Sequence, residues 1–526
     1  MRGRGTATAI AAGMALMTGG VMAVDQASAS VFHRAASGHT TGPGLARFYD
    51  QPISWHSCQT GPDDRLGKAL DAAGAQCGQV SVPLNYSRPA GRTITVAMSR
   101  IKATDPASRR GVLLINPGGP GVPGMEQVAL NQAIPDVAAR YDLIGMDPRF
   151  VGRSTPLNCR WTTDTFLRSA GPTRRTFDDN TALQKDLAAG CVIGNQDVLP
   201  YASTRNTARD MDVIRAALGE NKLSYFGASY GTYLGAVYLQ MFGARADRVV
   251  LDGAVDPDAY GPGLFSRIGP AAAAALQHWA AWAADHNSQY GLGATTSSVL
   301  ATVDRINEAA VNSPLRVGKY QIDAHVLPYF LFASLYDDSA QAYAGFAADV
   351  QVLDDAAQGA TADPTPSLEQ FLAGVSTGTG AATDRAGTPI LCADRAVSHD
   401  PDTYFRDIQA HRSDEPLFGP LIRDITPCAF WPTSPAEPPT TVNNNAPALM
   451  VGAAGDPVAP YTGQQAMHRA LTRSQLVTLN GSFRHTVYLT AGNTCIDTTV
   501  NHYLIDGVLP GRDTTCTATA STASSH

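Results

Sequence analysis

Lysine, basic clusters and long apolar runs are scarce in this chain. Only five of its 39 basic residues are lysines, no Lys/Arg-rich run occurs, and the net charge of the 526 residues is −7. A nucleic-acid-binding protein is therefore not expected. Beyond the N-terminal region no stretch reaches 18 apolar residues, so no membrane span is predicted there. The hydrophobic content of 44% excludes wholesale disorder.

The cysteines lack the spacing of a zinc site, because no two form a CxxC pair. Their number is even, and they fall along the chain as four neighbouring couples. An even number in an exported chain favours disulfides. Other pairings stay open, but neighbour pairing predicts Cys58–Cys77, Cys159–Cys191, Cys392–Cys428 and Cys495–Cys516.

The N-terminus has the pattern of an export signal. Arg2 and Arg4 precede an uncharged apolar or small segment over 6–24, and Ala27-Ser28-Ala29 offers small residues for cleavage after Ala29. We predict a signal peptide over 1–29 and a polar leader or short pro-segment over 30–50. The alternative is a transmembrane anchor, which the Gly/Ala/Thr-rich composition disfavours. We expect a secreted, extracellular bacterial protein that does not associate with the membrane after cleavage. We also expect a monomer.

Strands and helices alternate in two parts of the chain. Continuous apolar runs such as Val112–Ile115 and Tyr141–Met146 end in Gly/Pro/Asp loops, which is typical of parallel strands covered on both faces. We predict an α/β core from 51–255 and 441–516, with a mostly parallel sheet. A mainly helical insertion over 256–440 interrupts it, and 517–526 is expected to be a disordered tail.

A candidate nucleophile lies in the string Gly227-Ala228-Ser229-Tyr230-Gly231. This G-x-S-x-G pattern falls between a predicted strand, Leu223–Phe226, and a predicted helix, Tyr230–Phe242. That setting produces a sharp turn that lifts the serine hydroxyl above a sheet. The alternative is a glycine-rich turn with an idle serine.

An activated serine requires a base and an acid that orients the base. Asp456 and His485 each follow a predicted strand, and their order after the serine fits the Ser-Asp-His order of such folds. The alternatives are that His485 is an ordinary loop histidine, or that Asp252 or Asp256 is the acid. Asp456 is preferred, because it alone precedes the histidine by one strand–helix step.

The oxyanion of an acyl-transfer reaction needs two backbone donors. We expect one from the N–H of Tyr230 and the other from Gly119, in the loop Asn116-Pro117-Gly118-Gly119-Pro120-Gly121 that follows a predicted strand. The alternative is a structural Gly/Pro turn.

Together these segments resemble the tripeptidyl aminopeptidase / prolyl-aminopeptidase-like serine peptidase family of the α/β-hydrolases. The matching segments are 116–121, Asp147-Pro148-Arg149 with Gly152-Arg153-Ser154, 227–232, Leu251-Asp252-Gly253, Gly455-Asp456-Pro457 and the late His485. The resemblance implies an α/β-hydrolase fold in which the insertion is a cap. It places the nucleophile on Ser229, the acid on Asp456, the base on His485 and the oxyanion hole on Gly118 and Gly119, without a metal or other cofactor.

Two positions depart from the family pattern. Phe150 and Arg484 stand where the family usually has glycine after Asp-Pro-Arg and often has glycine before the histidine. A bulky cation next to the base is expected to narrow the pocket or to lower the pKa of the histidine.

The predicted cap carries most of the acidity. Residues 256–440 contain 22 acidic and nine basic residues, a net charge of −13, whereas the rest of the chain is +6. An acidic cap favours a cationic substrate end such as a free peptide N-terminus. Asp394 is the first candidate acceptor, because it lies next to Cys392 and is expected to be anchored there. The alternative is that these carboxylates only solvate a helical surface. The expected function is a secreted serine exopeptidase acting on the N-termini of peptides or proteins. An esterase with the same triad and a catalytically silent binding protein are the alternatives.

Overall fold

The computed structural model describes residues 44–377 and 383–518, with the side chains of 383–385 excepted. The predicted signal peptide, the leader up to residue 43 and the tail from residue 519 lie outside the described residues.

A nine-stranded sheet forms the centre of the molecule, in the order β1-β2-β4-β3-β5-β6-β9-β10-β11. The β1–β2 and β2–β4 pairs are antiparallel, and the strands from β4 through β3 to β11 are parallel neighbours. A separate antiparallel hairpin is formed by β7 and β8. The strands are β1 Gln76–Pro83, β2 Thr93–Ile101, β3 Gly111–Asn116, β4 Tyr141–Met146, β5 Leu223–Ala228, β6 Ala246–Asp252, β7 Leu315–Val317, β8 Tyr320–Ile322, β9 Ala448–Ala453, β10 Ser474–Asn480 and β11 Thr514–Thr517.

Helices connect the strands and fill the insertion. They are α1 Ala46–Tyr49, α2 Arg65–Ala72, α3 Pro135–Ala138, α4 Arg174–Val192, α5 Thr204–Ala217, α6 Tyr230–Phe242, α7 Gly269–Asp285, α8 Asn287–Tyr290, α9 Thr296–Asn312, α10 Leu327–Ala333, α11 Ala340–Ala357, α12 Pro366–Thr377, α13 Thr383–Asp394, α14 Pro401–Ala410, α15 Gly419–Ile422, α16 Tyr461–Ala470 and α17 Thr494–Asp506. Short 3₁₀ turns span Pro106–Ser108, Met125–Gln132, Leu199–Tyr201, Gly243–Arg245, Leu264–Arg267 and Pro427–Phe430.

Both faces of the sheet are buried, as continuous apolar strands require. Leu114 of β3 belongs to the hydrophobic core that includes Met211 of α5 and Val237 of α6. Leu113 faces the opposite side, in the core that includes Val500 of α17. This alternation confirms the predicted α/β fold with a mostly parallel sheet and helices on both sides.

The insertion builds a core of its own between β6 and β9. Trp279 of α7, Val303 of α9 and Phe346 of α11 are buried together there, and no residue of the central strands belongs to that cluster. Most of the segment is helical, as predicted, but the β7–β8 hairpin was not anticipated, because its three-residue strands are too short to show alternation.

Element boundaries differ from the predictions at both ends of the chain. Phe48 and Tyr49 of α1 are buried and the Tyr49 hydroxyl donates to Asp212, so the end of the predicted leader packs against the core. At the other end β11 reaches Thr517, one residue into the predicted tail. Helix α17 ends where Gly507 adopts a φ of +77°.

Disulfides join the cysteines in the neighbouring couples Cys58–Cys77, Cys159–Cys191, Cys392–Cys428 and Cys495–Cys516. Cys392–Cys428 lies within the insertion, and the other three staple the core. Among the helices of the described residues, none has both the length and the apolar character to cross a membrane.

Candidate active site

Ser229 occupies a sharp turn between β5 and α6. Its φ of +55° and ψ of −123° lie outside the regions that non-glycine residues prefer, so contacts with the surrounding structure must stabilise this strained conformation. Its backbone N–H donates to the carbonyl of Asp252 over 2.9 Å. A Cβ on Gly227 would come within 2.3 Å of the Gly231 carbonyl oxygen, and a Cβ on Gly231 would come within 2.8 Å of the Asn116 carbonyl oxygen, which explains why both flanks of the serine are glycine. The local sequence therefore builds the turn that the motif predicts.

His485 and Asp456 meet at the carboxyl ends of β10 and β9. The Nδ1 atom of His485 lies 2.9 and 3.1 Å from the two carboxylate oxygens of Asp456. Asp456 is fully buried, and its Oδ1 also accepts the N–H groups of Val458 and Ala459, each at 2.8 Å. These bonds fix the carboxylate, which in turn can orient the imidazole ring.

The other ring nitrogen of His485 is available for proton transfer. The Nε2 atom is buried and has no hydrogen-bond partner within the described residues. Burial by itself lowers the pKa of His485, but the charge and hydrogen bond of Asp456, with a smaller effect from Asp252, outweigh it and raise the pKa. The hydrogen bond between a nucleophile and its base is often long until substrate binds.

Asp252 and Gly253 connect the turn of Ser229 with His485. The Ser229 N–H donates to the Asp252 carbonyl, and a Cβ on Gly253 would lie 3.4 Å from the His485 ring.

The two alternative acids have other partners. The carboxylate of Asp252 accepts the backbone N–H groups of Val487 and Tyr488 at 2.9 to 3.0 Å. Burial raises the pKa of Asp252 to about 7. Asp256 forms an ion pair with Arg267 at 2.8 Å. The side-chain hydrogen bond of His485 is thus to Asp456, although Asp252 lies close enough to affect its pKa.

The glycine-rich loop after β3 lies against the nucleophile turn. A Cβ on Gly118 would lie 2.9 Å from Cβ of Ser229 and 3.3 Å from the backbone nitrogen of Tyr230, and its φ is +104°. The N–H of Gly118 already donates to the Asn116 side chain over 3.1 Å. The N–H of Gly119, whose φ is +102°, stays the predicted donor of this loop, together with that of Tyr230.

Asp394 lies in a closed polar network and does not face an open cleft. Its two oxygens accept the backbone N–H of Thr204, over 2.7 Å, and the Thr204 hydroxyl, which also contacts the hydroxyl of Tyr230. Burial raises the pKa of Asp394 to about 7. A substrate ammonium would have to displace Thr204, so this environment disfavours Asp394 as the acceptor of the N-terminus.

The two departures from the family pattern have different consequences. Phe150 adopts a φ of +69°, a conformation that glycine adopts without strain, and its side chain is buried. The pKa of His485 is raised and not lowered, contrary to the expected effect of Arg484. The guanidinium of Arg484 forms ion pairs with Asp337 and Asp338 of the cap, which offset its charge. These two aspartates, with Tyr336 before them, contact residues 482–485, and the sequence did not predict them. The charge complement of Arg484 was their only signal.

No metal site accompanies these residues in the part of the chain that the structure describes, where no group of three or more His, Cys, Asp or Glu side chains could hold an ion.

Comparison with known proteins places this geometry in a family. Residues 111–315 match the family described as alpha/beta hydrolase fold, and residues 415–516 match the one described as TAP-like protein. The chain is 34% identical to a tripeptidyl aminopeptidase of Streptomyces coelicolor, over 88% of this chain and 86% of the relative. It is 30% identical to the serine protease Hip1 of Mycobacterium tuberculosis, over 89% and 91% of the two chains.

A third relative has a different activity in its name. The chain is 31% identical to carboxylesterase B of Mycobacterium tuberculosis, over 91% of this chain and 94% of the relative. All three relatives match over most of their length, so the similarity covers the cap as well as the core. The chain therefore belongs to the tripeptidyl aminopeptidase family of serine hydrolases, within the α/β-hydrolase superfamily.

Proposed function

We propose that this protein is a secreted serine exopeptidase that releases short peptides, tripeptides foremost, from free N-termini. Ser229 attacks the scissile carbonyl while His485 takes the hydroxyl proton and Asp456 holds the ring. The N–H groups of Tyr230 and Gly119 stabilise the oxyanion. His485 then gives its proton to the leaving amine, and water, activated by the same histidine, hydrolyses the acyl-enzyme to restore Ser229.

One observation carries this proposal. A buried Asp456–His485 pair leaves Nε2 unpaired, and the strained turn of Ser229 is joined to it through Asp252 and Gly253. This is the set of groups that an acyl-transfer serine requires. The choice of peptides as substrates is supported by the names of two relatives, a tripeptidyl aminopeptidase and a serine protease.

Export is supported by the cysteines. All eight form disulfides, which persist in oxidising compartments and are rare in the cytosol. The signal-peptide pattern over 1–29 points the same way. We propose an extracellular monomer with peptide N-termini as its partners.

The preference for the free N-terminus of a peptide follows from the charge of the cap. The net charge of −13 over 256–440 produces a negative potential that attracts a cationic ammonium group. A free N-terminus held at a constant distance from Ser229 would set the length of the released peptide. An ammonium–carboxylate hydrogen bond contributes about 1.5 to 3 kcal/mol.

The test compares tripeptidyl p-nitroanilides with free and with acetylated N-termini, beside aminoacyl and dipeptidyl analogues and short-chain nitrophenyl esters. Acetylation removes the charge, so we expect kcat/KM to fall at least about tenfold at pH 7, as the loss of about 1.4 kcal/mol implies. The preference should weaken above about pH 8, where the substrate amine loses its proton. Equal cleavage of free and blocked tripeptides would refute the exopeptidase proposal.

An esterase is the second candidate, since carboxylesterase B is similar over nearly its whole length and the same triad serves both reactions. Efficient hydrolysis of the esters in this panel, with all peptide anilides left intact, would favour it.

A further inference from the structure

The loop that carries His485 is held by the cap. We call residues 482–485 the base loop and residues 336–338 the cap anchor. The backbone N–H of His485 donates to the carbonyl of Tyr336 over 2.9 Å, and the Tyr336 ring stands edge-on to the imidazole at 5.6 Å. The cap anchor follows α10, which is more than 140 residues before the histidine along the chain. The base therefore takes its position partly from another layer of the molecule.

Asp338 is the centre of this contact. Its carboxylate accepts the Ser482 hydroxyl at 2.8 Å, the backbone N–H of Phe483 at 2.7 Å and Nε of Arg484 at 2.9 Å. Three consecutive residues of the base loop thus donate to one side chain. Charge-assisted hydrogen bonds of this kind are the stronger class in proteins.

Arg484 completes the contact with its remaining donors. Its other nitrogens reach Asp337, at 2.5 Å, and the carbonyl of Thr490. The side chain is only 9% exposed and that of Asp338 only 13%, so solvent screens this pair less than a surface ion pair. An arginine directly before the base is also a departure from the glycine that the family often has there.

Phe483 adds an apolar contact between the same partners. Its ring stacks on His278 of α7 at 4.2 Å, and its other neighbour is Gly455, directly before Asp456. The residues after the histidine are held by the core instead, because Asp252 accepts the N–H groups of Val487 and Tyr488. His485 therefore lies between a cap-held and a core-held segment.

We propose that Arg484 and Asp338 are positioning residues, which act through His485 by anchoring the base loop to the cap. The inference rests on the proposed triad. It goes further in assigning the cap a role in catalysis besides substrate binding. Without the anchor, residues 482–485 retain fewer bonds to fixed partners. The imidazole then samples orientations in which Nε2 is misdirected, and a misplacement of about 1 Å can cost about 100-fold in rate.

The test uses Arg484→Gln, Asp338→Asn, Arg484→Lys and the double variant Arg484→Gln/Asp338→Asn. Arg423→Gln serves as the matched control. Arg423 pairs with Glu415 at 2.6 Å, is 13% exposed, and has no partner in the base loop. Melting temperatures and circular dichroism establish that each variant is folded. Kinetic constants are measured on a nitrophenyl acetate and on a tripeptidyl anilide, and the rate of phosphorylation of Ser229 by diisopropyl fluorophosphate is measured directly.

We expect kcat to fall about 10- to 100-fold in Arg484→Gln and in Asp338→Asn with KM changed less than about threefold, since the loss is in transition-state positioning. Phosphorylation of Ser229 should slow in parallel. Arg484→Lys, which keeps the charge but not the planar fork, should recover part of the activity. The double variant should lose little more than the worse single one, because both substitutions break one contact. Arg423→Gln should leave kcat and labelling unchanged.

Folded variants with wild-type kcat and wild-type labelling rates would overturn the inference, as would an equal kcat loss in Arg423→Gln. Failure of the proposed function looks different. An enzyme that hydrolyses esters but no peptide anilides fails as an exopeptidase, yet the labelling series still tests the anchor. A wild-type protein whose Ser229 is never phosphorylated refutes the triad itself.

Discussion

The two halves of the candidate triad are held by different parts of the molecule. The named contacts of Ser229 come from the core: the β5–α6 turn, the carbonyl of Asp252 and the close approach of Gly118. His485 is held on one side by the core, at Asp456 and Asp252, and on the other by the cap, at Tyr336 and Asp338. The position of Ser229 is therefore set by contacts within the core, whereas the position of His485 also depends on the cap.

This difference separates two kinds of cap function. A cap that only covers the site would alter substrate affinity and leave the chemistry of Ser229 untouched. A cap that also holds the base loop changes the rate of proton transfer for every substrate, including a small one that never touches the cap. Substitutions on the two sides should consequently produce different kinetic patterns.

The largest effect is expected at the core-held half. Ser229→Ala removes the hydroxyl without disturbing the turn, so kcat should fall about 10⁴-fold or more while the melting temperature stays within a few degrees of wild type. Steady-state kinetics and thermal unfolding check this. Residual activity within tenfold of wild type would mean that another group is the nucleophile, and the comparison of the two halves would lose its basis.

A smaller but still large effect is expected where core and base meet. Asp456→Asn removes the charge next to Nδ1 and can leave the imidazole in the wrong tautomer, so kcat should fall about 10³- to 10⁴-fold. Asp252→Asn is the matched comparison, since Asp252 is as buried as Asp456 but bonds Val487 and Tyr488. Its kcat should fall far less. The reverse order of losses would assign the acid to Asp252 and contradict the observed pairing.

Local patterns predicted the strands and the turn on which the core-held half lies. The apolar runs of β3 and β4 are continuous, and the G-x-S-x-G string carries its own steric reason in Gly227 and Gly231. Asp456 and His485 are predicted as partners because each follows a strand that the sequence shows clearly, and the structure places them in hydrogen-bond contact. These inferences need only residues that lie close together in the chain.

Contacts between distant segments were not predictable in the same way. Asp338 lies 146 residues from Arg484, and nothing in the neighbourhood of either residue selects the other from the many charges of the cap. Asp394 was nominated for its place beside Cys392, but its partner is Thr204, 190 residues away. The register of β11 on β10 likewise depends on packing that a four-residue strand does not encode.

The smallest effect concerns the pH dependence, which distinguishes the two halves because the base titrates near neutrality and a serine hydroxyl does not. The pKa of His485 is raised above its usual 6.5. Burial lowers this pKa, but the charge and hydrogen bond of Asp456, with the smaller effect of Asp252, outweigh burial. Proton transfer needs the neutral ring, so kcat/KM should fall as the pH drops through a midpoint above 6.5. In Asp456→Asn the main raising charge is gone while burial and the smaller effect of Asp252 remain, so the midpoint should move to lower pH.

The stability of the fold should have the opposite pH dependence. A histidine with a raised pKa and Asp252, whose pKa is about 7, both bind protons more tightly in the folded state, so the free energy of unfolding should decrease as the pH rises toward 7. Profiles of kcat/KM and melting temperature between pH 5 and 9 measure both. A wild-type activity limb below pH 6 would contradict the pairing of His485 with Asp456, and a melting temperature that climbs steadily from pH 5 to 8 would contradict the raised pKa values of the buried groups.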